Sequence, residues 1–203
     1  MKNWIVACFS VFLLAQCGEA SKKAGAPGQS TTESAREPSP DPLDLARGFA
    51  METQAALGRT LQAQIGERGT AGAITFCNVA ALPITDSIAR AHGAEICRIT
   101  DRPRNPGNRA SSEEARIMDM VRFSLAKETP PDPLVLSEGG ITHYYFPILT
   151  NELCLQCHGT PQQQVPPDVL GRLAELYPED EALGYGPGEL RGLWKVGLNQ
   201  ADK

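Results

Sequence analysis

The chain has 203 residues, a formal net charge of -5 and 6% aromatic residues. That length leaves one domain once any leader is removed. The acidic balance, without a dense run of Lys or Arg, excludes a nucleic-acid-binding surface.

Met1-Lys2-Asn3 carries one charge and precedes an apolar run from Trp4 to Ala15. The run is too short to cross a bilayer and predicts an export signal over residues 1–20. Leu14-Ala15-Gln16-Cys17-Gly18 resembles a bacterial lipoprotein box, with Cys17 as the lipidated mature N-terminus. Gln16 departs from the small residue preferred there, and cleavage near Ala20 is the alternative. Either route places the mature protein in the periplasm; lipidation would also anchor it to the membrane. Residues 21–42, rich in Ser, Pro, Gly and Thr, predict a disordered tether, so the domain spans 43–203.

Asp41-Pro42 and Asp44 start a helix. Leu45, Phe49, Leu57, Leu61 and Ile65 mark one stripe of it, and Gly69 stops it. Thr70 to Ala81 predicts a second helix, with Ile74, Cys77 and Ala81 on one face. Pro83 opens a third, ended by Gly93 after His92. Ala94 to Thr100 alternates as a strand. Ser111-Ser112-Glu113-Glu114 caps a helix expected to turn Ile117, Met120, Val121 and Leu125 inward. Leu134–Leu136 and Ile141–Leu149 form a hairpin around Glu138-Gly139-Gly140. Pro166 or Pro167 starts a helix bearing Leu170, Leu173 and Leu176, and Leu190 to Leu198 is a last strand. The mixture predicts an α+β domain without internal repeats.

Cys154-Leu155-Gln156-Cys157-His158-Gly159 is the attachment signature of one covalent c-type haem. Two thiols spaced by two residues reach the two vinyl groups of one porphyrin edge, and the next histidine is carried under the iron. Gly159 follows where a side chain would crowd the ring. A zinc site would need a second ligand pair at similar spacing, which the sequence lacks.

Six cysteines then divide by role. Cys8 leaves with the signal, Cys17 is lipidated or lost, and Cys154 and Cys157 hold haem. Cys77 and Cys97 remain, to form a disulfide or to supply a ligand. Other sixth-ligand candidates are Met118, Met120, His143 and His92. Arg98, Arg102 and Arg104 lie where they could pair with haem propionates, or in a turn whose charges face water. Tyr144, Tyr145 and Trp194 read as packing residues.

Ala73-Ile74-Thr75-Phe76-Cys77-Asn78, Arg98-Ile99-Thr100, Arg104-Asn105-Pro106 with Asn108, Tyr145-Phe146-Pro147-Ile148, Cys154 to Gly159, Gly184-Tyr185 and Gly188 to Gly192 follow in an order that resembles a known family. Its members are small exported single-haem c-type proteins of PAS-like fold, long catalogued as a domain of unknown function. The resemblance spans about Leu45 to Val196. It implies iron held by His158 and Cys77. Cys97 departs from the small residue found there in that family and keeps the Cys77–Cys97 bridge open. It further implies a periplasmic, non-enzymatic redox or gas sensor acting through a signalling partner and matured by haem-attachment machinery. The alternative is a low-potential electron carrier, since an anionic thiolate ligand favours ferric iron. A peroxidase would want a distal acid–base residue, and the sequence offers no such constellation.

Overall fold

The computed structural model describes residues 40–129 and 134–199. The expected export signal, Cys17 and all but the last three residues of the expected tether lie outside the described residues.

Helix α1 (Pro42–His92) begins where the Asp41 carboxylate accepts the Leu43 N–H at 3.0 Å. It is interrupted at Gly69, whose φ of 70° and ψ of 172° leave the helical region. Only glycine adopts that pair cheaply. It ends at Gly93, φ 61°, whose N–H reaches the Ala89 and Arg90 carbonyls. The separate helix expected to open at Pro83 does not exist: α1 passes through the proline. The bond that Pro83 forgoes would go to the Val79 carbonyl. Val79 is 67% exposed, a position where water can take the place of that bond.

Strands β1 (Glu95–Ile99), β2 (Leu134–Glu138), β3 (Ile141–Leu149) and β4 (Leu190–Asn199) form one antiparallel sheet in the order β1-β4-β3-β2. Gly139 and Gly140, both at positive φ, close the β2–β3 hairpin as the sequence predicts. Alternation along the strands then gives the sheet two apolar faces. On one, Ile96, Tyr144, Phe146, Trp194 and Val196 pack against Ala46 and Ala50 of α1. The innermost positions of α1 are thus Ala46, Ala50 and Thr53, not the expected stripe; Phe49 and Leu57 flank them. Small side chains let the helix axis approach the sheet, and Gln54 accepts the Trp194 indole N–H at 3.1 Å.

On the other face, Tyr145, Leu193 and Ile99 meet helix α2 (Ser112–Ala126) through Ile117, Met118 and Val121. Met118 is fully buried, whereas Met120, expected inward, is 51% exposed. Met118 stands three residues before Val121 and Met120 three after Ile117, so spacing alone does not separate them and only the phase of packing does. Ser111 and Glu114 form a reciprocal capping box. Glu114 also accepts Lys195 Nζ at 2.8 Å, tying α2 to β4. Tyr144, Tyr145 and Trp194 are packing residues, as their patterning suggests.

Two outcomes follow. Met118→Ala costs roughly 2–5 kcal/mol in urea unfolding, while Met120→Ala stays within about 0.5 kcal/mol. Burial pushes the Glu114 carboxyl up, but the Lys195 and Ser111 hydrogen bonds outweigh it and hold its pKa below the usual 4.5. Its stabilising contribution is therefore complete above pH 4.5 and is lost as pH falls through the lowered value. Glu114→Gln should be less stable at neutral pH and show a shallower decline below pH 4.5 in pH-dependent unfolding.

Candidate cofactor site

Helix α3 (Glu152–His158) is two turns long and carries the C-x-x-C-H residues. The Asn151 side chain caps it, accepting from the Cys154 N–H at 3.2 Å and from the Cys154 thiol at 3.3 Å. Leu155, 2% exposed, anchors the helix against Ala182 and Tyr185. Cys154 and Cys157 are three apart, which places both thiols on one side of α3. Neither is joined in a disulfide.

His158 Nδ1 lies 2.8 Å from the Ala182 carbonyl. A carbonyl only accepts, so Nδ1 carries the proton and Nε2 keeps its lone pair. Arg191 Nε stands 3.4 Å from the same Nδ1. Two N–H groups cannot bond each other, so this approach is crowding, and the shorter contact decides the tautomer. Burial, then the Arg104 and Arg191 charges, hold the His158 pKa well below 6.5. The ring is neutral at physiological pH. A neutral imidazole whose other nitrogen is committed to a carbonyl is the form that ligates a metal.

A segment without regular structure holds that carbonyl in place. Tyr185 N–H donates to the His158 carbonyl and Gly184 N–H to the Gly159 carbonyl, each at 2.9 Å. Arg104 spans the junction: Nε donates to Asp180 Oδ2 at 3.0 Å and Nη2 to the Cys157 carbonyl at 2.6 Å. Asp180 Oδ1 accepts the Ala182 N–H at 2.8 Å. Arg102 donates to the Glu181 and Leu183 carbonyls and lies 4.3 Å from the centre of the Tyr185 ring. Arg102 and Arg104 therefore bind the chain itself. The turn itself forms at Pro106–Asn108, with the Asn108 N–H on the Asn105 carbonyl at 2.9 Å, but Arg102 and Arg104 put their charges on the chain and not in water, and Arg104 Nη2 also reaches the Ala182 carbonyl at 3.5 Å.

Gly159 is also required by the chain itself. A Cβ there would sit 2.6 Å from the Leu155 carbonyl oxygen and 2.5 Å from Gln164 Oε1. The protein's own turn excludes a side chain at this point.

Cys77 lies one turn beyond Ile74 on α1. Ile74 and Ala71 pack with Cys157 and with Val165, Val169 and Leu173 around helix α4 (Pro167–Leu176). Thr70 Oγ1 donates to Gln156 Oε1 at 3.0 Å, fastening α1 to α3. Burial raises the Cys77 pKa, against the opposing Arg98 and Arg104 charges. Cys157 is likewise raised by burial, with Arg104 lowering and Cys77 raising it. The structure thus gathers Cys77, Arg98, Arg104, Cys157 and His158 into one neighbourhood. Arg98 keeps solvent-accessible surface, yet surrounding protein lowers its pKa, as on a concave wall. It lies 5.7 Å from the Trp194 ring.

The Cys77–Cys97 bridge is not formed. Neighbouring strand residues face opposite sides, and Arg98 shares the α1 side of Trp194. Cys97 therefore points the other way, where Lys195 and Glu114 are its nearest charges. His92 stacks on Phe49 at 4.0 Å and bonds Glu52 at 2.7 Å, at the far end of α1. His143 is buried on the α2 side of the sheet, beside Gly197. Met118 belongs to the α2 core. None of these joins the α3 neighbourhood. Ala182, Asp180 and Arg191 do, and spacing around residues 154–159 could not have named them. Burial lowers the Arg191 pKa to about 10, with Tyr185 opposing the shift.

The family model described as Tll0287-like matches residues 22–199. The chain belongs to the Tll0287-like family. The crystal structure of the cyanobacterial heme-protein Tll0287 is similar to it, with a TM-score of 0.53 and 23% identity over 79% of this chain and 98% of that one. That similarity supports the α+β fold. No curated protein matches the chain. In this Tll0287-like protein the donor set fits the group its motif implies: two unpaired thiols on one helical side and a neutral histidine with Nε2 uncommitted.

The Arg104–Asp180 pair is largely buried, with side chains 12% and 7% exposed. Asp180→Asn should cost roughly 3–5 kcal/mol in urea unfolding, because it leaves a buried guanidinium unpaired. The double variant Arg104→Met, Asp180→Leu should recover a large part of that loss.

Proposed function

We propose that this protein is an exported c-type haem protein with a PAS-like domain, attached to haem through Cys154 and Cys157, with His158 and Cys77 as iron ligands. The observation that carries the reading is the His158 Nδ1 bond to the Ala182 carbonyl, which leaves Nε2 for a metal. The heme-protein named in the neighbouring crystal structure supports it, as does the four-stranded antiparallel sheet with helices on both faces. When bound, the haem supplies a one-electron iron couple. Everything else falls to the chain. His158, fixed in its tautomer, donates a neutral nitrogen. Arg98, unlike Arg104, keeps its guanidinium for a propionate. Cys77 as a thiolate adds negative charge and favours the ferric state.

The role proposed is a periplasmic, non-enzymatic redox or gas sensor, lipid-anchored through Cys17, matured by haem-attachment machinery and read by a signalling partner. A half-buried thiolate that gained a proton would be a weaker ligand, and its release would be the switch. The place of Cys77, one turn beyond buried Ile74, favours a second reading, a low-potential electron carrier that keeps both ligands.

Low-temperature EPR of the ferric protein should show a low-spin thiolate signal that is lost in Cys77→Ser. Carbon monoxide should bind the dithionite-reduced parent protein. An unchanged signal in Cys77→Ser would overturn the ligand assignment. Reduced protein that takes up no carbon monoxide but exchanges electrons reversibly would replace the sensor with the carrier.

A further inference from the structure

Arg191 differs from the other guanidiniums around His158. It is the second residue of β4, and its neighbour Gly192 lets β1 come close: a Cβ at Gly192 would sit 2.6 Å from the Ile99 carbonyl oxygen. That approach brings Thr100 against Arg191. Nη1 donates to Thr100 Oγ1 at 3.1 Å and to the Arg102 carbonyl at 3.3 Å. Thr100 is itself fixed, donating to the Arg191 carbonyl at 2.9 Å and accepting the Arg102 N–H at 3.2 Å. The Tyr185 ring centre lies 5.4 Å from the guanidinium carbon. Each of these partners is neutral. Asp180 is held by Arg104, and among the described residues no carboxylate pairs with Arg191.

Arginine keeps its charge at any physiological pH. A partly buried cation without a counter-ion is unfavourable to folding, yet this one is fixed in place and pressed against a candidate ligand. Its Nε stands 3.4 Å from His158 Nδ1, the nitrogen that the Ala182 carbonyl keeps protonated. The two neighbours of Nδ1 therefore act in opposite directions. A carbonyl that accepts from Nδ1 makes the imidazole more basic and favours ferric iron. A fixed cation behind the ring disfavours positive charge on whatever the ring ligates, and so favours the ferrous state, which carries one charge less.

We infer that Arg191 is a positioning residue that acts through His158 to make the iron easier to reduce, offsetting the Cys77 thiolate. The step is the entry of one electron, with no bond made or broken. The inference rests on the haem reading. Charge is the active property: glutamine can still bond Thr100 and the Arg102 carbonyl but is neutral, whereas lysine keeps the charge and loses the planar fork.

The test is a spectroelectrochemical titration of the full-length holoprotein at neutral pH, as parent, Arg191→Gln, Arg191→Met and Arg191→Lys. Both neutral variants should keep the parent's ferric spectrum and have a lower midpoint. Their ferric-to-ferrous ratio at a fixed potential should rise about tenfold, or about 59 mV for one electron. Arg191→Lys should stay near the parent. An unmoved midpoint in the neutral variants overturns the inference, as does an equal drop in Arg191→Lys, which would make the hydrogen bonds and not the charge responsible. Neutral variants that lose the parent's ferric spectrum, or that both fail to accumulate as folded haem protein, make Arg191 structural and overturn it too. Coloured parent protein with an unmoved midpoint in the variants refutes this inference and spares the haem reading. Colourless parent protein refutes both.

Discussion

One hydrogen bond sets the chemistry of this protein: the Ala182 carbonyl on His158 Nδ1. It fixes the tautomer, the ring plane and the nitrogen left to ligate. The carbonyl belongs to a stretch between α4 and β4 that has no regular structure of its own. Its position is therefore inherited from side chains. Arg102 and Arg104 from the loop after β1, and Asp180 within the stretch, hold it against α3. The sheet matters to the site because β1 and β4 deliver that loop and Arg191 to the same end of the molecule.

The electrostatics follow from the same arrangement. Arg98, Arg104 and Arg191 all act on His158, and each works against its protonation. Arg102 and Arg191 lean over the Tyr185 ring, and Arg104 lies near that of Tyr177, so aromatic faces share in offsetting the charge. Asp180 is the carboxylate drawn into the group. The guanidinium charges pull toward the anionic form of Cys77 and Cys157, but burial outweighs them and both thiol pKa values stand above the usual one. That pull arises inside a chain whose net charge is -5, so the bias is local.

Much of the fold was legible from residue patterns. The hairpin around Gly139-Gly140, the capping box at Ser111 and the helix break at Gly69 are local rules acting locally. The C-x-x-C-H residues could be singled out because their spacing is a property of the sequence, and the structure places them together on α3. Pro83 misled because water can replace a missing helical bond on an exposed side. Met120 and Met118 were interchanged because two methionines two residues apart satisfy composition equally, and only packing phase separates them. Arg104 looked free because its partners, Asp180 and the Cys157 carbonyl, are 76 and 53 residues away along the chain. Ala182 carries no side-chain signal at all; it acts through its backbone. The Cys77–Cys97 ambiguity ended with strand alternation, once β1 had a register against β4.

The measurement that bears most directly on this account is the mass of the proteolytic peptide containing Cys154, Cys157 and His158, taken from protein matured through export. The account predicts a gain of one haem on that peptide, with both thiols consumed and the modification lost in Cys154→Ser, Cys157→Ser. An unmodified peptide with two alkylatable thiols would contradict it.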